Sequence, residues 1–145
     1  MKSIETYFEE YSEFHKNPTN QTMHVIGIPL IMFSLLGLLR HMSYPVGNFV
    51  VDAGLVLWIF ATLWYLKLHV KLALFFSPVA FGMYFLSAFT PLSYLWSIFI
   101  LGWVVQLWGH KHFEKNSPAF LQNLEHVLIG PLWIFVKVFK ISYQK

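Results

Sequence analysis

The 145-residue sequence has no cysteine, and charged residues make up only 12% of it. The first absence removes disulfide scaffolds, thiolate zinc sites, iron–sulfur clusters and cysteine nucleophiles together. The second leaves about half the charge of an ordinary soluble domain, in a chain small enough that surface demands polar residues most. With 57% hydrophobic residues, a soluble fold would have to expose apolar patches that monomers avoid. Disorder is excluded by the 19% of aromatic residues. There is no glycine-rich phosphate loop and no Gly-x-Ser-x-Gly elbow. The polar first 22 residues, with four Glu, do not read as a targeting peptide. What remains is an all-α, polytopic integral membrane protein, a single membrane domain over residues 1–145.

Four apolar blocks, near 23–39, 49–66, 72–89 and 92–109, have the lengths of short helical spans. A fifth, 127–139, is interrupted by Gly130-Pro131 and too short to span, so it reads as an interfacial or re-entrant segment. The net charge of +3 comes from Lys and Arg lying between these blocks, as juxtamembrane charges do, and does not form a nucleic-acid surface. Lys2, Lys16, Lys67, Lys71, Lys111 and Lys115 fall on the N-terminal segment and the even-numbered loops, against Arg40 alone on the other side. The positive-inside rule then places the N-terminus in the cytoplasm. Four spans bring His15, His24, His110, His112 and His126 to that same face, joined by His69, and leave His41 on the other.

Residues 1–22 read as an amphipathic helical segment. Ile4, Tyr7, Phe8, Tyr11, Phe14 and His15 share one face, Ser3 suits an N-cap, Glu5 suits the first turn, and Asn17-Pro18 ends the helix. Asn20-Gln21-Thr22 is formally a glycosylation sequon but abuts a span on the cytoplasmic side. After the fourth block comes a His-containing cytoplasmic segment, 110–126. Should the fourth helix continue from Gln106 through Pro118, His110 and Glu114 share a face, with Gln106 one turn earlier and His112 pointing elsewhere. Ionisable groups at membrane depth are costly and tend to be functional. Several imidazoles at one face without cysteine suit iron(II), with zinc also open. The competing reading is of interfacial histidines bonded to backbone or reaching water. Asp52, near a helix end, reads as a solvated carboxylate.

Three motifs carry a resemblance: Tyr11-x3-His15-x-Asn17-Pro18-x-Asn20-x3-His24-x2-Gly27, then Gly109-His110-x2-Phe113-Glu114-x3-Pro118-Ala119, then Asn123-Leu124-x-His126 running into Ile129-Gly130-Pro131-Leu132. Together they resemble the membrane 2-hydroxy-fatty-acid dioxygenases, a family of the yeast phytosphingosine-degradation type with bacterial relatives. The resemblance implies an iron(II)-dependent α-oxidation, in which a 2-hydroxy fatty acid and O₂ give the fatty acid one carbon shorter. It implies His15, His24, His110 and His126 as metal ligands, with three His plus Glu114 as the competing set. His112 falls where the family has another residue. Glu114 and Gln106 are then candidates to orient a ligand, and Lys111 and Lys115 to draw in the fatty carboxylate. The membrane would be a bacterial inner membrane or an endoplasmic reticulum. Oligomeric state is left open. Two other readings stand beside this one: a non-catalytic protein binding lipid or a partner, and a haem protein with two axial His. A transporter is disfavoured because the four spans show no inverted repeat.

Overall fold

The computed structural model describes residues 2–115 and 118–143, so Asn116 and Ser117 of the polar run after the fourth block lie outside the described residues. The helices are α1 (Ile4–Glu13), α2 (Pro18–Arg40), α3 (Ala53–Leu68), α4 (Val70–Ser87), α5 (Leu92–Gly109) and α6 (His126–Phe139). A hairpin of β1 (Ser43–Val46) and β2 (Phe49–Asp52) joins α2 to α3, a π-helical turn (His110–Glu114) extends α5, and a 3₁₀ turn (Ala119–Leu121) precedes α6. Among the described residues, three helical stretches are long and apolar enough to cross a membrane: Pro18–Arg40, Val70–Ser87 and Leu92–Glu114. Ala53–Leu68 is apolar but shorter. Leu74, Phe85, Leu86, Phe89 and Ile100 leave more than half of their area uncovered, as lipid-facing side chains would. The protein is helical and built for a membrane.

Two of the expected boundaries move. The first span was expected to begin at 23, but α2 starts at Pro18. Asn17 Oδ1 accepts the Thr19 N–H at 2.9 Å, and proline at the first helical position loses no needed donor. The polar residues 19–22 are thus the first turn of the long helix and do not belong to the N-terminal one. The second span was expected from 49, but residues 49–52 are strand. Tyr44, Val46, Phe49 and Val50 favour extended backbone, and Val46 pairs with Phe49 across a Gly47-Asn48 loop in which Gly47 has φ of +60°. Glycine at the first of two loop positions is what such a hairpin turn requires.

The chain forms two compact units, Met1–Pro29 with Leu101–Lys145, and Leu30–Ile100. In the second, α3 and α4 pack as a helical pair, with Trp58 Nε1 donating to the Ser77 carbonyl at 2.9 Å. His69 both ends α3 and caps α4, its Nδ1 accepting the Leu72 N–H at 3.3 Å. Asp52 is fully used by the protein and is not the solvated carboxylate expected. Its Oδ1 accepts the Leu55 N–H at 2.8 Å, capping α3, and its Oδ2 accepts the Tyr84 hydroxyl at 2.6 Å. The Arg40 guanidinium lies 4.9 Å from the centre of the Tyr84 ring.

The approach of α3 to α2 in this unit depends on a missing side chain. A Cβ on Gly54 would stand 2.6 Å from the Leu36 carbonyl oxygen, a backbone atom that cannot swing away, whereas one on Gly82 would meet nothing within 4 Å. Gly54→Ala is therefore expected to destabilise by about 1–3 kcal/mol. Gly82→Ala should stabilise by about 0.5–1 kcal/mol. Thermal melts of the two variants in one detergent check this, and equal shifts would contradict the packing described.

Candidate metal centre

The site is assembled in the unit that contains α1, α6, the first half of α2 and the end of α5. Helix α1 begins as its sequence predicts, with Ser3 Oγ accepting the Thr6 N–H and Glu5 in the first turn. It buries Ile4, Tyr7, Phe8 and Tyr11 and packs on α6. Tyr11 reaches Gly130, where a Cβ would stand 2.8 Å from its hydroxyl. Trp133 Nε1 donates to Ser12 Oγ at 3.0 Å. These contacts hold the end of α1, and with it His15, whose ring stacks on Tyr11 with centroids 4.1 Å apart.

His15, His24 and His110 are 1%, 2% and 3% exposed, and their ligand nitrogens all lie within 4.8 Å of one another. His15 Nε2 is 3.0 Å from His24 Nε2, which is 3.1 Å from His110 Nε2. The far nitrogens explain this convergence. His15 Nδ1 lies 2.6 Å from the Tyr11 carbonyl and His24 Nδ1 lies 2.9 Å from the Asn20 carbonyl, each on the preceding helical turn. A carbonyl only accepts, so these Nδ1 atoms carry the protons, and in the neutral rings both Nε2 atoms present bare lone pairs. Burial first, and repulsion from any charge on His24 next, push His15 down to about 3, despite the opposing bond to Tyr11. A proton is therefore a poor bridge between these rings. A metal ion is a good one. Neighbouring donors about 3 Å apart suit a first-row ion with bonds of about 2.1 Å at near-right angles.

Glu114 is engaged with the start of α2. Its Oε1 accepts the Asn17 backbone N–H at 2.7 Å and the Asn20 side-chain N–H at 3.2 Å. It thereby joins the end of α5 to the start of α2. The carboxylate also sits where the unpaired N–H groups of a helix start favour negative charge. The π-helical turn delivers it, with the Lys115 N–H donating to the His110 carbonyl at 2.9 Å. Asn20 is completely buried and lies so close to Gly109 that a side chain there would collide with its Oδ1. Gln106, also buried, lies against Gly27.

His126 is buried beside this group. Its Nδ1 is 3.2 Å from the Ala119 carbonyl, its ring is 5.9 Å from that of Tyr11, and its Nε2 lies 3.7 Å from Glu10 Oε2. That Nε2 has no hydrogen-bond partner.

The family described as 2-hydroxy-palmitic acid dioxygenase Mpo1-like matches residues 1–141. The chain belongs to this Mpo1-like family. It is similar to the 2-hydroxy-palmitic acid dioxygenase MPO1 of Saccharomyces cerevisiae, with 26% identity over 137 residues, covering 92% of this chain and 79% of the yeast protein. No solved structure matches.

Of the four histidines that the Mpo1-like motifs single out, the structure gathers three tightly and sets His126 alongside. His112 is exposed and stacks on Trp108 with centroids 4.2 Å apart. Lys111 and Lys115 are exposed, Lys115 in a left-handed conformation at φ 56°. Sequence reasoning passed over three supports. Asn20 entered it in a sequon and in the first motif, with no role assigned to it. Gln21 bridges the site, donating to the His15 carbonyl at 2.5 Å and accepting from Lys137 of α6. Tyr7 donates its hydroxyl to Glu125 Oε2 at 2.7 Å, tying α1 to the start of α6. For Asn20 the signal was there, four residues before His24 in a helix.

The Tyr7–Glu125 tie has a definite pH dependence. The bond from Tyr7 holds the Glu125 carboxyl below its ordinary value of 4.5, while burial and Glu125 push Tyr7 up to about 12. The tie is thus complete above the ordinary carboxylate range and is lost as pH falls through the lowered Glu125 value. Tyr7→Phe should cost about 1 kcal/mol at pH 7, with the difference from wild type vanishing once the pH has fallen below the lowered Glu125 value. Paired melts across that range check it, and a pH-independent difference would contradict it.

Proposed function

We propose that this chain is an iron(II)-dependent dioxygenase that shortens 2-hydroxy fatty acids by one carbon. The ligands we propose are His15, His24 and His110, with His126 as the fourth. The observation that carries the reading is the buried convergence of three imidazole rings, in a chain whose yeast relative is named for 2-hydroxy-palmitic acid. Bound iron(II) would supply the redox centre at which O₂ and the 2-hydroxy acid react.

The overall reaction balances without any other reagent. Carbon 2 of the acid becomes the new carboxyl carbon and the old carboxyl carbon leaves as carbon dioxide. The two oxidised carbons supply all the electrons that reduce O₂, and the remaining oxygen and hydrogens leave as water.

The chain's own groups do the holding. The Tyr11 and Asn20 carbonyls fix the tautomers and ring orientations of His15 and His24, the usual service of outer groups to a ligand. Glu114 fixes the approach of α5 to α2 and is a positioning residue rather than a ligand. Tyr11 and Trp133 wall the His15 ring and exclude water from it. Lys111 and Lys115, exposed at the end of α5, would attract the fatty carboxylate from solution. For the membrane we propose four crossings, counting Ala53–Leu68, with the N-terminus and the histidines on the cytoplasmic face.

A bis-histidine haem fits less well. Axial nitrogens across a haem iron stand about 4 Å apart, twice a metal–nitrogen bond of about 2 Å, and a flat macrocycle must fit between them. The His15–His24 pair at 3.0 Å and the His24–His110 pair at 3.1 Å leave it no room.

Elemental analysis of anaerobically purified protein in detergent tests the site. About one iron per chain is expected in wild type, most of it lost in His110→Ala, and His126→Ala should weaken iron binding about 10–100-fold. Iron-loaded wild type should convert 2-hydroxypalmitic acid and O₂ to pentadecanoic acid. Folded wild type that binds no metal, or binds only zinc and consumes no O₂, would overturn the reading.

A further inference from the structure

Within the unit that holds the histidines, three buried side-chain atoms among the described residues have no hydrogen-bond partner: Asn20 Oδ1, His126 Nε2 and Gln106 Nε2. Asn20 uses its other end on Glu114, and His126 is accounted for above as a ligand. Gln106 is different. Its amide nitrogen is a donor that touches no acceptor, and the residue is only 6% exposed. A buried polar group left unpaired is costly, because it gives up its bonds to water for nothing. Leucine or methionine at this position of an apolar helix would fill the same space without that cost.

Its location says what it awaits. Gln106 lies one helical turn before His110 on the same face of α5. Opposite it stands Gly27, three residues beyond His24 on α2, where a Cβ would come within 2.8 Å of Gln106 Nε2 and 3.1 Å of the Gly102 carbonyl. The amide thus borders the histidine cluster on the side where α2 and α5 run into their apolar lengths. The basic residues nearest in sequence, Lys111 and Lys115, are exposed. A carboxylate brought beside the cluster could have its charge balanced by a cation there, yet its oxygens would still need N–H donors out of water.

We infer that Gln106 is a substrate-binding residue whose Nε2–H group donates to the carboxylate of the bound 2-hydroxy fatty acid. The inference rests on the dioxygenase reading and names the group that receives the substrate's head. Gly27 is the complement, because only a residue without a side chain leaves the amide in place.

Binding of 2-hydroxypalmitate to the iron-loaded protein without O₂, followed by calorimetry, tests it. Gln106→Met should weaken binding about 10–100-fold, the value of one hydrogen bond to a charged group. Iron content should stay at the wild-type level and the melting temperature should be equal or higher, since no protein partner is lost. Gly27→Ala, which displaces the amide but keeps it, should weaken binding in the same direction. Hexadecane-1,2-diol, which lacks the carboxylate, should bind wild type and Gln106→Met alike. Equal 2-hydroxypalmitate binding by wild type and Gln106→Met would overturn the inference and leave the dioxygenase reading standing. Iron loss or a lowered melting temperature in Gln106→Met would assign Gln106 a structural role instead. Wild type that holds iron but binds no 2-hydroxypalmitate would remove both.

Discussion

Three imidazole rings brought together out of water are the constraint around which this unit is organised. Two of the rings spend their only proton on a carbonyl one helical turn back, so their inner nitrogens face each other bare. Like lone pairs at 3.0 Å repel, and burial disfavours the proton that would separate them, as the depressed value of His15 indicates. A multiply charged cation answers both difficulties, because it attracts all the nitrogens and needs them deprotonated. The polar bonds around the cluster then serve to stop the rings from turning away.

How two long apolar helices deliver such a cluster follows from their antiparallel seam. Reading down α2, Asn17 and Asn20 meet Glu114, Asn20 and Met23 meet Gly109, His24 meets His110, and Gly27 meets Gln106 and Gly102. Glycine at 27 and 109 lets polar side chains from the opposite helix lie against backbone, as small residues commonly do between membrane helices. The π-helical turn is the one departure from regular winding in this stretch. It carries His110 and Glu114 together, and such turns recur where function needs a side chain re-aimed. Helix α1 contributes less by length than by anchorage, since Tyr7, Tyr11 and Ser12 fasten it to α6 so that His15 arrives at a fixed place.

Much of this was legible in the sequence, for reasons that differ by element. The apolar blocks near 72–89 and 92–109 matched α4 and α5 closely because a lipid-facing helix has no amphipathic subtlety to misread. Ser3 and Glu5 marked the start of α1 through local capping chemistry, and the motif histidines stood out as polar groups where polarity is costly. The strand at 49–52 was missed because a run of Phe and Val is equally apolar as helix or as hairpin. Only the Gly47-Asn48 loop distinguishes them. The early start of α2 was missed because polar residues 19–22 look extramembranous until Asn17 is seen as a cap. Asp52 as a cap with a tyrosine donor, and Gln21 as a bridge to α6, depend on residues tens of positions away, which spacing alone does not bring together.

The depth of the cluster along α2 makes one more connection. His24 lies six residues beyond Pro18, a rise of about 9 Å along the axis. The residues before it are the polar Thr19, Asn20, Gln21 and Thr22, followed by Met23, while those after it, from Val25 to Leu39, are apolar save Ser34. The histidines therefore occupy the border at which the helix passes from polar to hydrocarbon-compatible sequence. An amphiphile in a bilayer is ordered the same way, with its carboxylate at the polar boundary and its chain inward. A metal centre at this level can meet the head of a fatty acid while the chain keeps its hydrocarbon surroundings, so the apolar burial of the tail need not be surrendered for the head to react. A soluble enzyme would have to rebuild that environment in a long enclosed tunnel, which a chain of 145 residues has little mass to form.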